Sequence, residues 1–378
     1  MNNADTRGGF KSATSTFAHA ISRAFPTPKL LVPDALGVDI SDSSIKWIAL
    51  SRLSRGSRTV ETWGQEPLAE GIVVSGVVRD QAKLAEALRE VKKRAPHIRT
   101  AHAALPEEAA FVFDLSVPAN STREQILNVI EFELENRVPI PPSAAVYDFD
   151  RIPGEAGASQ EIGVVVFPRE LARSYAQCFD AAGITLLSLE LEARSIARAV
   201  SSAGSEDAVT LLVDFGLKRT GFAVLKRGIP IFTSTVEVGG EMISRALVEK
   251  LGLSPEDVEV WKNEEGLLPK DGPKSPGVEA VSGAASALGS EVLRHYRYWD
   301  TRRDEHGERM SPVSKVFLVG GSSNLKGLAD YIAGRVQAPV ERPNVWKNVA
   351  PFDEYIPAID RHASLQFATA IGLALRSR

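Results

Sequence analysis

Three short segments carry residues whose types and spacing could hold a polyphosphate. The first is Gly37-Val-Asp39, which runs into the polar turn Ser41-Asp42-Ser43-Ser44 and then Lys46. The second is Asp214-Phe-Gly216, followed by Lys218 and Thr220. The third is Gly320-Gly321-Ser322-Ser323, directly after the apolar run Val316–Val319. Small residues let backbone N–H groups approach phosphate oxygens. An acid at the end of a strand can hold Mg²⁺ through water, because Mg²⁺ keeps several of its waters. Asp39 and Asp214 are the candidates for that role. Lys46 would neutralise phosphate charge. A Gly-Gly turn opening a helix leaves room for a ribose or a base beside a helix N-terminus. The candidate nucleotide-binding residues are therefore Asp39, Ser41, Ser43, Ser44, Lys46, Asp214, Gly216, Lys218, Thr220, Gly240, Gly320, Gly321 and Ser322. Each segment alone is a common turn. Their weight comes from their order and from the strand end that precedes each.

The elements that must position them can be read from periodicity. Residues 35–40 and 45–50 are apolar runs joined by a tight polar turn, which predicts a hairpin. A third strand is predicted at 58–63, and strands follow at 101–105, 110–117, 146–152, 161–167 and 184–189. Leu84, Leu88 and Val91 repeat at helical spacing, so 81–94 is a predicted helix. A second helix is predicted over 122–136, with Ser121 as its cap and Glu124 completing a capping box. Further helices are expected at 170–182 and 192–200. The strand 208–215 opens a second meander through 221–225 and 229–238, and Gly239-Gly240 opens a helix to Leu251. Residues 265–277 read as an exposed loop, 278–300 as a long helix, 315–319 as a strand, and 325–336 and 363–375 as helices. Hairpin, helices, second hairpin, helices is an α/β pattern in which two similar halves each begin with a hairpin.

The bulk numbers exclude several classes. The chain has 378 residues and a net charge of −4, so nothing global points to nucleic acid. Arg294, Arg297 and the aromatic residues Tyr296, Tyr298 and Trp299 read as a packed helix rather than a nucleic-acid face. A single cysteine, Cys178, excludes a disulfide framework and a Cys-cluster metal site. The histidines are scattered. No apolar run reaches the roughly 20 residues needed to span a bilayer, and residues 1–23 lack a signal-peptide apolar core. The expectation is a cytoplasmic protein. Residues 1–34 read as a flexible tail. Phe10, Phe17, Ile21 and Phe25 lie there at roughly helical spacing, with Pro26 and Pro28 cutting the pattern short.

The segment Leu36-Gly-Val-Asp-Ile-Ser-Asp-Ser-Ser-Ile-Lys46 resembles the "GIDIGSSSIK" of the PilM family of type IV pilus assembly proteins, within the actin/Hsp70/FtsA superfamily. Residues 131–139 and 147–149, 232–251, 319–323 and 368–375 also resemble that family. The resemblance implies a two-lobed actin-like ATPase fold of duplicated ribonuclease H-like domains. Lobe 1 would span 35–207 with a family-specific subdomain at about 80–181. Lobe 2 would span 208–362 with an insertion at about 241–312, followed by a closing helix at 363–378. It also implies ATP and Mg²⁺ in the cleft, and a scaffold role at the inner face of the inner membrane, in a pilus or related secretion platform. The implied partners are the N-terminal peptide of a PilN-like membrane protein and the pilus motor and platform proteins. A small-molecule kinase of the same fold and an FtsA-like division protein are the alternatives. Ser41 stands where the family has glycine, and Asp42 adds an acid beside the expected phosphates. One like-charge pair at about 4 Å costs roughly 4 kcal/mol before screening, which weighs against tight ATP binding and fast hydrolysis. Glu190 and Glu192 read as surface acids at a helix start.

Overall fold

The computed structural model describes residues 34–52, 57–154, 157–201, 209–268, 275–303, 307 and 309–376. The expectations for the tail, Phe10 to Phe25 among them, lie outside the described residues.

Lobe 1 is built on a five-stranded sheet. Strands β1 (Ala35–Ile40), β2 (Ser44–Arg52) and β3 (Arg58–Pro67) form an antiparallel meander, and β6 (Thr100–Leu105) and β10 (Thr185–Leu191) extend it in parallel, in the order β10-β6-β1-β2-β3. The short strands β4 (Val73–Val74) and β5 (Val77–Val78) make a separate hairpin. In the β1–β2 register Asp39 lies opposite Lys46, so both side chains leave the same face. Helices α1 (Gln81–Arg94) and α3 (Arg169–Ala181) bring Leu84, Leu88, Val91, Tyr175 and Phe179 into this lobe's core.

Lobe 2 repeats the plan. Strands β11 (Val209–Phe215), β12 (Thr220–Lys226) and β13 (Ile229–Val236) form the meander, and β14 (Val313–Val319) and β15 (Val340–Glu341) extend it in parallel, in the order β13-β12-β11-β14-β15. Read outward from the first strand, the two sheets have the same topology. The duplication is thus plain in strand order although no close repeat is visible between the residues. Around this sheet lie α5 (Gly240–Leu251), α6 (Pro255–Glu264), α7 (Pro276–Thr301) and α8 (Leu328–Val336). Helix α6 falls where no helix was expected. Ser254 caps it by accepting from the Asp257 N–H at 3.1 Å, and Pro255 opens it.

Helix α4 (Glu192–Val200) and the closing helix α10 (Ala368–Ala374) pack together against the lobe 1 sheet. The closing segment is not one helix: α9 (Arg361–Ser364) and a 3₁₀ turn at Leu365–Phe367 precede α10. Two glycines let backbones touch here. A Cβ on Gly37 of β1 would stand 2.1 Å from the Ala370 carbonyl oxygen, and one on Gly372 would stand 1.8 Å from that of Ser195. Leu212, Leu225 and Phe317 of lobe 2 join the same core, so the lobes share packed material.

A third sheet, β7 (Phe111–Pro118), β9 (Ser159–Pro168) and β8 (Ala145–Arg151), carries α2 (Arg123–Arg137) on Ile126, Ile130 and Leu134. This sheet and its helix span 111–168, inside the stretch of about 80–181 that the resemblance implies for a subdomain. The sheet also leans on lobe 2. Gly163 abuts Ile229 and Pro230, and Lys226 forms a 2.6 Å ion pair with Glu161. Helix α2 is capped by Thr122 rather than Ser121. The Thr122 hydroxyl accepts from the Gln125 N–H at 3.2 Å, and the Gln125 side chain accepts from the Thr122 N–H at 2.8 Å. The box is the expected one moved by a residue. Thr122→Ala is expected to cost about 1 kcal/mol, read as a lower urea midpoint with an unchanged slope.

Candidate functional site

The two hairpin turns face one cavity of about 540 Å³ between the lobes. Asp39, Ser41, Ser43, Ser44, Lys46, Asp214, Gly216, Lys218, Gly320, Gly321 and Ser322 line it. Thr220 and Gly240 do not. Thr220 is fully buried and donates its hydroxyl to the Val238 carbonyl at 2.5 Å. Strand alternation turns it inward and leaves its neighbour Gly221 on the cleft. Gly240 acts behind the cleft wall. Its N–H donates to the Gly216 carbonyl at 3.0 Å, Ser322 Oγ donates to that same oxygen at 2.9 Å, and a Cβ on Gly240 would meet Ser322 Oγ at 2.0 Å. Glycine at 240 therefore lets the second and third candidate segments close on each other.

The first turn is internally knitted. Ser41 Oγ donates to the Ser44 carbonyl at 3.0 Å and accepts from the Ser44 N–H at 3.2 Å, while Lys46 Nζ donates to Ser44 Oγ at 3.1 Å. Ser41 thus fills the place of a turn glycine by satisfying the turn's own backbone. The charge of Asp42 is offset within the protein. Its carboxylate accepts from the Ser75 and Gly76 N–H groups, both at 3.1 Å, and pairs with Arg219. Gly320-Gly321 also differs from expectation. It opens a 3₁₀ turn over Gly321–Asn324, and the helix starts only at Leu328. Gly320 has φ +87°, and a Cβ there would stand 2.4 Å from Asp214 Oδ1. Glycine there leaves room for the Asp214 carboxylate.

The floor of the cavity is acidic. Asp39, Asp214, Glu107 and Glu192 all line it, with Lys46 among them. Burial pushes Asp214 up to about 6, with the Asp39 charge adding to it and Lys46 opposing. Burial and then Asp214 push Glu107 up to about 8, against a hydrogen bond from the Ala193 N–H. Burial also raises Asp39, against Lys46, and it raises Glu192 well above its usual range, with Asp39, Glu107 and Asp214 adding to the rise. Glu192 is therefore a cleft residue. Glu190 is not a surface acid either: it is buried in ion pairs with Arg198 and Arg376. Among the described residues no group of three or more His, Cys, Asp or Glu side chains stands close enough to hold a metal directly. The donor set fits a hydrated divalent ion, which would relieve the mutual repulsion of these carboxylates without contacting each of them.

Glu107 was not legible as a site residue. It lies in a 3₁₀ turn after β6, and its carboxylate covers Gly221, the cross-strand neighbour of Asp214. The far end of the cavity is lined by Glu259, Lys262, Asn263, Asn324, His362 and Gln366. These come from α6, the 3₁₀ turn and the closing segment, and none was expected there. Lys262 is buried and pairs with Glu259 at 2.6 Å.

Comparison with known proteins agrees with this architecture. A family model described as type IV pilus assembly protein PilM matches residues 37–378. A solved PilM–PilN type IV pilus biogenesis complex is 22% identical with a TM-score of 0.73, covering 92% of this chain and 99% of that one. The ethanolamine utilization protein EutJ from Carboxydothermus hydrogenoformans is 18% identical with a TM-score of 0.53, covering 91% of this chain and 89% of that one. These likenesses establish the two-lobed actin-like fold.

Proposed function

Since the chain belongs to the PilM family of type IV pilus assembly proteins, we infer that it is an ATP-binding scaffold of a pilus assembly platform. In this reading it binds the cytoplasmic N-terminal peptide of a PilN-like inner-membrane protein and works at the inner face of that membrane with the motor and platform proteins. No helix among the described residues is long and apolar enough to cross a membrane, so attachment through such a partner suits the chain. The observation that carries the nucleotide half is the convergence of both hairpin turns and the acid cluster on one cavity.

In the cleft, Asp39 and Asp214 would hold Mg²⁺ through water, and the ion would screen the phosphates from the carboxylates. Lys46 and Lys218 would add positive charge, the small residues of both turns would admit the phosphates, and Gly320, Gly321 and Ser322 would face the nucleoside. Burial and the neighbouring carboxylates push Glu107 up to about 8 and raise Glu192 as well. The family match gives the kinase and division-protein alternatives no support.

Calorimetry with Mg-ATP tests the cleft. Wild type is expected to give heat, and Asp214→Asn is expected to weaken binding tenfold or more, a loss of about 1.4 kcal/mol. The variant should stay folded, because it removes one charge from a repelling cluster. Binding of fluorescent N-terminal peptides of candidate membrane partners tests the scaffold half. No heat in wild type would remove the nucleotide, and no peptide bound would remove the partner.

A further inference from the structure

The two hairpin turns that face the cavity are joined directly by side chains, and Arg219 makes the joint. It sits in the β11–β12 turn of lobe 2, where the Gly216 N–H donates to its carbonyl at 3.0 Å. One of its terminal nitrogens pairs with Asp42 and the other with Glu108. Asp42 belongs to the β1–β2 turn and Glu108 to the 3₁₀ turn after β6, both in lobe 1. A planar guanidinium can serve two carboxylates with separate N–H groups, which a lysine ammonium does far less well. The Arg219 and Asp42 side chains are only 17% and 12% exposed, so water screens this contact much less than a surface pair.

The Asp42 end is built to receive the arginine. Ser75 and Gly76 have φ +50° and +68° in the two-residue turn between β4 and β5. Positive φ at both central residues gives the tight hairpin turn suited to a two-residue loop, and here both of its N–H groups point at the Asp42 carboxylate. Tyr175, a core residue, donates its hydroxyl to the Gly76 carbonyl at 2.8 Å and pins that turn to the lobe 1 core. A Cβ on Gly76 would meet the Pro106 ring at 2.3 Å, so the turn also rests on the segment that presents Glu108. Both acceptors are thus fixed to lobe 1 before Arg219 arrives.

We propose that Arg219, gripping Asp42 and Glu108, is a clasp that holds the two lobes closed in the ligand-free protein. The lobes also share a core around Leu212, Leu225 and Phe317. The clasp lies among the cavity-lining residues. Its release therefore widens the mouth without separating the lobes. The inference concerns the empty cleft and does not depend on the nucleotide reading.

Spin labels at Glu70→Cys in lobe 1 and Glu256→Cys in lobe 2 read the opening by double electron–electron resonance without nucleotide. Both positions are exposed, and native Cys178 is buried with its thiol pushed up to about 11, so it stays unlabelled. Wild type is expected to give one narrow distance distribution. Arg219→Ala is expected to shift it to longer distances by more than the wild-type width. Asp42→Asn combined with Glu108→Gln should do the same. The amide oxygen that Asp42→Asn leaves in place can still accept from one of the two N–H groups, and the Tyr175 hydroxyl and the Pro106 ring still hold the turn. The double variant therefore keeps the local turn and carries the test if Arg219→Ala does not fold. A wild-type distribution in either folded variant, or a broad one in wild type, overturns the clasp.

Discussion

Replacing Gly372 by alanine is expected to destabilise the protein by about 3 kcal/mol or more, at the upper end of overpacking costs. The added carbon would stand 1.8 Å from the Ser195 carbonyl oxygen and 2.4 Å from its carbon, both backbone atoms of α4. No rotamer change can relieve that contact, so α10 must move away from α4. The move is costly because Ile371 and Ala374 of α10 and Ala193, Ile196 and Ala197 of α4 are buried in one core. Arg198 also donates to the Gly372 carbonyl at 2.9 Å, and Glu190 joins Arg198 to Arg376. Gly334, which has nothing within 4 Å of an added Cβ, is the control. Gly334→Ala in the middle of α8 should be neutral or stabilising. Thermal denaturation of both variants checks the pair. A Gly372→Ala melting temperature equal to wild type would show that the two helices do not pack backbone to backbone.

The second large effect is a pH dependence of opposite sign to ordinary acid denaturation. Asp214 at about 6 and Glu107 at about 8 hold protons in the folded state that the unfolded chain releases near pH 4. Between those values the folded state binds more protons, so stability falls as pH rises from about 4 to about 8. Asp214 alone, two pH units above the ordinary carboxylate, corresponds to about 3 kcal/mol as an upper bound. Glu107→Gln should flatten the slope at its alkaline end and raise the melting temperature at pH 8. Mg²⁺ with ATP should also flatten it, because a cation favours the ionised carboxylates and releases their protons. Melting curves from pH 5 to 8 test this. A wild-type profile that is flat or rising over that range would mean that burial does not hold these protons in the cleft.

How much of this was legible in the sequence depended on distance along the chain. Asp39 and Asp214 could be found because each ends an apolar strand and begins a small, polar turn, a signal contained in about ten residues. The repeat of hairpin then helices was legible for the same reason. Thr220 was placed on the cleft one residue too far from Gly221, because alternation fixes which residues share a face but not which face meets the cavity. The α2 cap was offset by a residue, since Ser121 and Thr122 can both accept and only the folded turn chooses. Helix α6 had its own signal in Ser254-Pro255-Glu256-Asp257, a cap, a proline and early acids, which went unread. Glu107, Glu192 and Arg219 are of a different kind. Their roles come from partners tens to well over a hundred positions away, and no local spacing announces them. The same applies to Asp42, whose charge looked like an obstacle until Ser75, Gly76 and Arg219 were beside it.

The matched strand orders have a consequence for what the cleft can distinguish. β1 and β11 hold the same station in their sheets, and Asp39 and Asp214 are each the penultimate residue of that strand. The two carboxylates are topological counterparts, so a small round ion between them would gain nothing from handedness. A nucleoside has two unlike ends and must break that symmetry. The wall that breaks it is one-sided: Glu259 and Lys262 lie on α6, an element with no twin in the other half. On the proposed reading, a bound nucleoside would be oriented by the part of the protein that the repeat did not supply.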